Sequence, residues 1–244
     1  MSNNSYLSVY AKSFSWAGFF LPKKTLNKCS ALYDFCRVAD NLADDEEKIE
    51  NKEKKFNQFE KDFNQKNFDN PIIKNMWDLI DEFNISLKIV NDLLIGIKSD
   101  IKESVKLNSK KDLLIYSYRV AGTVGIMMAK ILNVNDTRSL KGAVDLGIAM
   151  QLTNIARDVI EDKKMNRQYI KPDFENIEAT LKLADMFYES SFTSIKNIPF
   201  KYRFAIIVAR RVYREIGNKI LKKGNMSNYE HCLLYTSPSP RDNR

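Results

Sequence analysis

Apolar residues recur at three- and four-residue spacing along most of the chain, with polar residues between them. That period predicts helices. They are read over residues 25–44, 47–66, 71–83, 86–105, 110–132, 137–163, 174–195 and 199–223. No alternating run of useful strand length competes with them. Segment 46–68, EEKIENKEKKFNQFEKDFNQKNF, intersperses acids and bases around sparse Ile and Phe, which predicts a solvated outer helix rather than a nucleic-acid arm. The expected fold class is all-α, a single-domain helical bundle over residues 1–230. Residues 231–244, HCLLYTSPSPRDNR, lose the period and carry Ser-Pro-Ser-Pro. They read equally as foreign sequence or as a disordered tail, and either reading leaves them out of the fold.

Two stretches interrupt the core pattern with polar stripes. In AMQLTNIARDVIED, residues 149–162, Gln151, Asn154, Asp158 and Asp162 recur at spacings of three and four and share one face. In LYDFCRVADNLADDEE, residues 32–47, Tyr33, Arg37, Asp40 and Asp44 do the same among Leu32, Phe35, Cys36, Val38, Ala39 and Leu42. Each stretch has Asp-x-x-x-Asp with an arginine just upstream. The i,i+4 spacing sets two side chains one turn apart, offset by about 40°. Two carboxylates so placed on a largely buried face repel each other unless a cation sits between them. Mg²⁺ takes oxygen ligands, keeps waters, and is commonly held by one or two carboxylates plus substrate phosphates. The metal-ligand candidates are therefore Asp40, Asp44, Asp158 and Asp162, with Asn154 as a neutral oxygen one turn before Asp158. The pairs are far apart in sequence, so they belong to different helices. Facing each other, they would line the mouth of a bundle and bind a metal-diphosphate. Arg37 and Arg157 flank them, and Lys163, Lys164 and Arg167 follow the second pair. Arginine suits bidentate phosphate contacts.

A third stretch, YSYRVAGTVGIMMAKIL, residues 116–132, places Gly122 and Gly125 in an apolar helical run. Glycine there costs stability relative to alanine, which favours a break beside a cavity. Met127 and Met128 read first as core, and second as a deformable apolar wall.

Composition narrows the chemistry. Eight Gly and six Pro in 244 residues, with 44% hydrophobic residues, fit a helical globular chain. The net charge of +8 suits anionic partners such as phosphates, a membrane surface or nucleic acid, without choosing among them. Cys29, Cys36 and Cys232 form no CxxC, so a reduced, cytoplasmic setting is expected. No basic-then-apolar leader and no apolar run of membrane-spanning length are read, so no spanning helix is expected. The single histidine, His231, lies in the tail. That excludes histidine-based nucleophilic triads and histidine zinc sites. The remaining chemistry runs on carboxylates, tyrosines, basic groups and bound ions.

These residues carry a resemblance. KSFSWAGFFLP, YDFCRVADNLADD, YRVAGTVG, QLTNIARDVIEDKKMNRQYI and ARRVYREIG resemble, in order, motifs of the squalene/phytoene synthase family, over nearly all of residues 8–229. The wording is closer to phytoene synthases than to squalene synthases. The resemblance implies an isoprenoid synthase bundle with a deep central cavity. It places the metal-binding aspartates at Asp40, Asp44, Asp158 and Asp162, and the companion asparagine at Asn154. It sets Arg37, Arg157 and Tyr33 near the diphosphates, and Tyr213 on a late helix. Gln151, Tyr116, Ser13 and Phe14 join the expected substrate-binding set. Asn41 stands where an acid often follows the first Asp, and Ile160 replaces a usual glycine. The family's closing C-terminal helix is expected to be missing after Glu230.

The activity so implied is Mg-dependent (Mn also admissible) head-to-head condensation of two geranylgeranyl diphosphates to phytoene through a cyclopropyl diphosphate. Diphosphate, Tyr33 or Tyr116 are the candidate proton acceptors, and NADPH is not expected. The runners-up are farnesyl-using squalene, dehydrosqualene or hydroxysqualene synthases. A reading of another class is a non-catalytic relative acting as an assembly factor, in which loss of the aspartates would be expected. A basic helical membrane or nucleic-acid binder leaves the acidic stripes without a role. Prenyl diphosphates are the expected partners, nucleic acid is not, and loose peripheral membrane contact is compatible with lipid substrates.

Overall fold

The structure, a computed structural model, describes residues 21–224. The first helix, α1, spans Lys23–Asp44, and three more follow: α2 Ile49–Asn64, α3 Pro71–Phe83 and α4 Leu87–Lys98. After a short strand β1 (Val105–Lys106) come α5 (Lys110–Ser117), a π-helical turn (Tyr118–Gly122) and α6 (Thr123–Ile131). The chain then forms α7 (Thr137–Arg157), α8 (Val159–Lys164), strand β2 (Arg167–Gln168), α9 (Phe174–Ile195) and α10 (Phe200–Lys223). The expected all-α bundle is what these residues form. Ser13, Phe14 and the tail 231–244 lie outside the described residues.

Local chemistry sets several helix starts. The Asn70, Asp136 and Asp173 side chains accept from the N–H of Ile72, Ser139 and Asn176, and Pro71 occupies the first position of α3. At the end of α3, Asn84 takes the left-handed conformation, φ 49°.

The charged helix α2 is solvated on one side only. Phe56, Phe59 and Phe63 are buried along its other face. Phe35 of α1 meets Phe59 and Phe63 with ring centroids 5.4 Å apart in each pair, and Phe63 stacks on Trp77 of α3 at 5.3 Å. The Trp77 indole donates to the Phe63 carbonyl at 2.9 Å. Such aromatic contacts add to area burial. One core thus joins α1 to α4 with α6. A second joins α5, α7 and α9, and a third gathers the end of α7 with α8, α9 and α10.

Three predicted helices are shorter than their apolar period suggests. The helix read over 86–105 stops at Lys98, where Ser99 Oγ donates to the Gly96 carbonyl at 2.6 Å. Val105–Lys106 then pairs in parallel with Arg167–Gln168. A two-residue pair has no period to detect. The helix read over 110–132 is interrupted by the π turn, which a glycine-related break anticipates. The helix read over 137–163 breaks at Asp158, with φ −99° and ψ 13°. Close backbone contact accounts for two glycines: a Cβ on Gly125 would lie 2.2 Å from the Ala143 carbonyl oxygen, and one on Gly147 would lie 2.3 Å from that of Ala121. The π turn and α6 therefore lie directly on α7. Among the described residues, no helix is long and apolar enough to cross a membrane.

Candidate active site

The two acidic stripes open on one space. Arg37, Asp40 and Asp44 come from the C-terminal half of α1, and Gln151, Asn154 and Arg157 from the last turns of α7. Asp158 sits at the helix break and Asp162 on α8. All line a cavity of about 140 Å³, together with Asp100, Tyr116, Val120, Ile155 and Tyr169. Its acids are Asp40, Asp44, Asp100, Asp158 and Asp162. Burial of Asp44, Asp158 and Asp162 makes their charge costly unless it is compensated.

Guanidinium groups supply part of that compensation. Arg157 forks onto its neighbour Asp158, Nε–Oδ1 2.6 Å and Nη2–Oδ2 2.7 Å. Arg167, the first residue of β2, reaches Asp44 Oδ1 at 2.6 Å and donates to the Ala43 carbonyl at 3.3 Å. Burial opposes charge on Arg167, but the carboxylates of Asp44 and Asp100 and the Tyr169 hydroxyl outweigh it and push its pKa up. Behind it, the Tyr116 hydroxyl donates to Asp100 Oδ2 at 2.6 Å, and its ring stacks on Tyr169 at 4.7 Å. Burial, reinforced by Asp100, raises both phenols well above their ordinary range.

The donor chemistry fits a hard divalent cation. Asn154 Oδ1 is buried with no hydrogen-bond partner, an unfavourable state that a cation or a ligand donor would relieve. Around it, the cavity offers carboxylate oxygens and no sulfur or imidazole. Among the described residues, no three acidic, cysteine or histidine side chains are already gathered into a metal cluster. Arg157 and Arg167 each hold one of these carboxylates, Asp158 and Asp44.

A second, larger cavity, about 250 Å³, continues from the first. Val120, Gln151 and Asn154 line both. Beyond them the walls are apolar, with Leu32, Val124, Met128, Leu146 and Ile206 among them. Tyr33, Cys36 and Tyr213 also face this chamber. Burial pushes the Tyr33 phenol up to about 12, although Arg37 pulls it down, and burial likewise raises Tyr213.

The acidic cavity brings together Asp40, Asp44, Asp158, Asp162, Asn154, Gln151, Arg37, Arg157 and Tyr116. Tyr33 and Tyr213 line the apolar chamber, with Tyr33 close enough to feel the charges of Arg37 and Asp40, and Tyr213 those of Arg157 and Asp158. Met127 is core, and Met128 is wall. Lys163 and Lys164 are exposed, while Arg167 is buried against Asp44. Sequence reasoning did not pick out Asp100 or Tyr169. Asp100 falls within the span read as a helix over 86–105 but lies in an irregular turn after α4, and Tyr169 had only its place two residues after Arg167 to mark it.

Comparison with known proteins agrees with this geometry. A sequence profile of the squalene/phytoene synthase family matches residues 7–173, which include both acidic stripes. The chain is 30% identical to the 15-cis-phytoene synthase of Enterobacter agglomerans, over 91% of this chain and 85% of that protein. It is 30% identical to the phytoene synthase of Rhodobacter capsulatus, over 86% of this chain and 69% of the relative. A crystal structure of a dehydrosqualene synthase in complex with ligand superposes with a TM-score of 0.79 at 31% identity, covering 90% of this chain and 84% of that one. Squalene synthase HpnC from Alicyclobacillus acidocaldarius, at 16% identity and a TM-score of 0.75, shares the fold over 90% of this chain and 91% of its own. A polar cavity opening onto an apolar chamber, on a fold and sequence shared with these enzymes, places the chain in the squalene/phytoene synthase family as a prenyltransferase of head-to-head condensation.

Proposed function

We propose that this protein condenses two geranylgeranyl diphosphates head to head to phytoene. The observation that carries this reading is the junction at Val120, Gln151 and Asn154, where a charged cavity meets an apolar one. A prenyl diphosphate has the same two-part character. Its diphosphate suits the arginines and aspartates, and its chain suits the chamber. The phytoene synthases among the relatives favour the geranylgeranyl chain.

Asp40, Asp44, Asn154, Asp158 and Asp162 would hold Mg²⁺, or Mn²⁺ in its place. When bound, the cation would neutralise charge developing on the departing diphosphate. Arg37 and Arg157 would bind the diphosphate oxygens and steady the leaving group. The first C1–O bond breaks, leaving an allylic cation and diphosphate. The apolar wall excludes water that would otherwise trap that cation as an alcohol. The C2–C3 double bond of the second substrate attacks C1, a proton is lost, and cyclopropyl diphosphate forms. Loss of its diphosphate, ring rearrangement and a second proton loss give the conjugated triene at the centre of phytoene. Burial keeps Tyr33 and Tyr116 as neutral phenols, which makes them poor bases. The released diphosphate is the better proton acceptor, and Tyr33, on the chamber wall, would stabilise cationic carbon through its aromatic ring.

The test is incubation with Mg²⁺ and either geranylgeranyl or farnesyl diphosphate, with and without NADPH, and identification of products by mass. Phytoene from the longer substrate is the expected result. Squalene or dehydrosqualene from farnesyl diphosphate alone would reassign the substrate. That second reading draws on the similar fold and sequence of the dehydrosqualene synthase. No product from either would remove the enzymatic proposal.

A further inference from the structure

The apolar chamber runs along α7 away from the acids. Asn154 stands at the junction and Ser139 at the other end of the lining. The two are fifteen positions apart on one helix, or about 22 Å at the α-helical rise. Leu132, Val134, Ser139, Ser194 and Ile195 form that far end, and all are buried, so it is closed to solvent.

The closed end is lined by unusually small side chains. Ser139, Gly142 and Ala143 come from α7, and Ser191 and Ser194 from α9. Two of the hydroxyls have backbone partners: Ser191 Oγ donates to the Tyr188 carbonyl at 2.8 Å, and Ser194 Oγ to the Arg138 carbonyl at 3.3 Å. Ser139 differs. Its backbone N–H donates to Asp136 Oδ1 at 2.9 Å, its hydroxyl lies beside the same carboxylate, and the residue is 4% exposed. Serine's small volume is what this position gains. A Cβ on Gly142 would lie 2.4 Å from Ser194 Cβ, so α7 and α9 already touch beside it.

We propose that Ser139, with Gly142, Ser191 and Ser194 around it, sets the length of prenyl chain the chamber admits, and that this length is geranylgeranyl. The inference rests on the prenyl diphosphate reading above, which puts the headgroup beside Asn154. An extended geranylgeranyl chain is of the order of the distance from there to Ser139. A farnesyl chain ends one isoprene unit short and leaves the closed end unfilled. A larger residue at 139 therefore costs the longer chain its last unit and leaves the shorter chain alone.

Two measurements on Ser139→Leu test this, with Ser139→Ala as the size control and Ser139→Met as a flexible replacement should leucine not fold. In competition between equimolar farnesyl and geranylgeranyl diphosphates, the ratio of geranylgeranyl-derived to farnesyl-derived product should fall roughly tenfold or more in Ser139→Leu and stay within about twofold in Ser139→Ala. In thermal melts with the unreactive thiolodiphosphate analogues, Ser139→Leu should lose stabilisation by the geranylgeranyl analogue and keep that by the farnesyl analogue. Parallel loss for both chains, or no change for either, overturns the gauge. The melts need no turnover. A wild-type protein that binds both analogues but forms no product therefore sinks the proposed reaction, while the variant melts still decide the gauge.

Discussion

Asp158 and Asp44 each face an arginine, and this pairing shapes what single substitutions should do. Asp40→Asn or Asp158→Asn removes a charged oxygen from the cavity while keeping its shape. Metal-dependent diphosphate release should fall by roughly 10²–10³ if these carboxylates stabilise developing charge. Undiminished turnover in either variant would remove the metal role. Arg167 is a different case. It bridges α1 and β2 through Asp44 and the Ala43 carbonyl, deep in the protein. Arg167→Met strands a buried carboxylate, so urea unfolding should show a loss of about 3–5 kcal/mol. Titration makes a further prediction. Burial raises the Cys29 thiol from 9.0 to about 12 and the Tyr33 phenol from 10.0 to about 12. Both groups hold their protons more tightly in the fold, so their share of stability is complete below the ordinary values. It is lost as pH rises through that window. The melting temperature should decline from about pH 9 upward, and Tyr33→Phe should make the fall between pH 10 and 12 shallower. An unchanged slope would show that ionisation of Tyr33 is not coupled to unfolding.

Among the elements, α7 carries most of the design. Its N-terminal half lines the closed end of the chamber, its middle lies against the π turn, and its C-terminal turns reach the acids. Gly147→Ala would place a methyl group 2.3 Å from the Ala121 carbonyl oxygen. The helices must then separate, which should cost about 1–3 kcal/mol in urea unfolding and loosen the chamber wall. Near-wild-type stability would mean that the backbones are free to move apart. The helical period made α1, α3, α9 and α10 legible to within a few residues, because each buries one face against a core. It could not reveal where α7 breaks or where α4 stops. Asp158 leaves helical geometry inside an unbroken apolar period, and Val105 pairs with the backbone beside Arg167, a partner far along the chain. The outer helix α2 was legible as charged, yet its three phenylalanines are its link to the core.

At the scale of the whole molecule, ion pairs and packing hold the acidic cavity in shape. Arg157 and Arg167 neutralise two of its carboxylates, and three cores surround it. Removing divalent metal with a chelator should therefore abolish turnover and leave the far-ultraviolet circular dichroism of the helices unchanged. Unfolding on chelation would instead make the cation part of the fold. Adding Mg²⁺ with an unreactive prenyl diphosphate analogue should raise the melting temperature, since the ligand binds only the native state.

The sequence by itself determined the helices and the four aspartates. A 3.6-residue period and an i,i+4 spacing are local properties, so they survive in one dimension. It also limited the chemistry, because a body without histidine leaves carboxylates, tyrosines and arginines to act. Only the tertiary structure decided which compartment each residue serves. Tyr33 went to the apolar wall, Arg167 to Asp44, and Asp100 and Tyr169 to the acidic cavity, through packing between segments far apart in the chain. The depth of the chamber has the same origin. It depends on how closely α7 meets α9 at Gly142 and Ser194, a distance between helices that the spacing along either one does not encode.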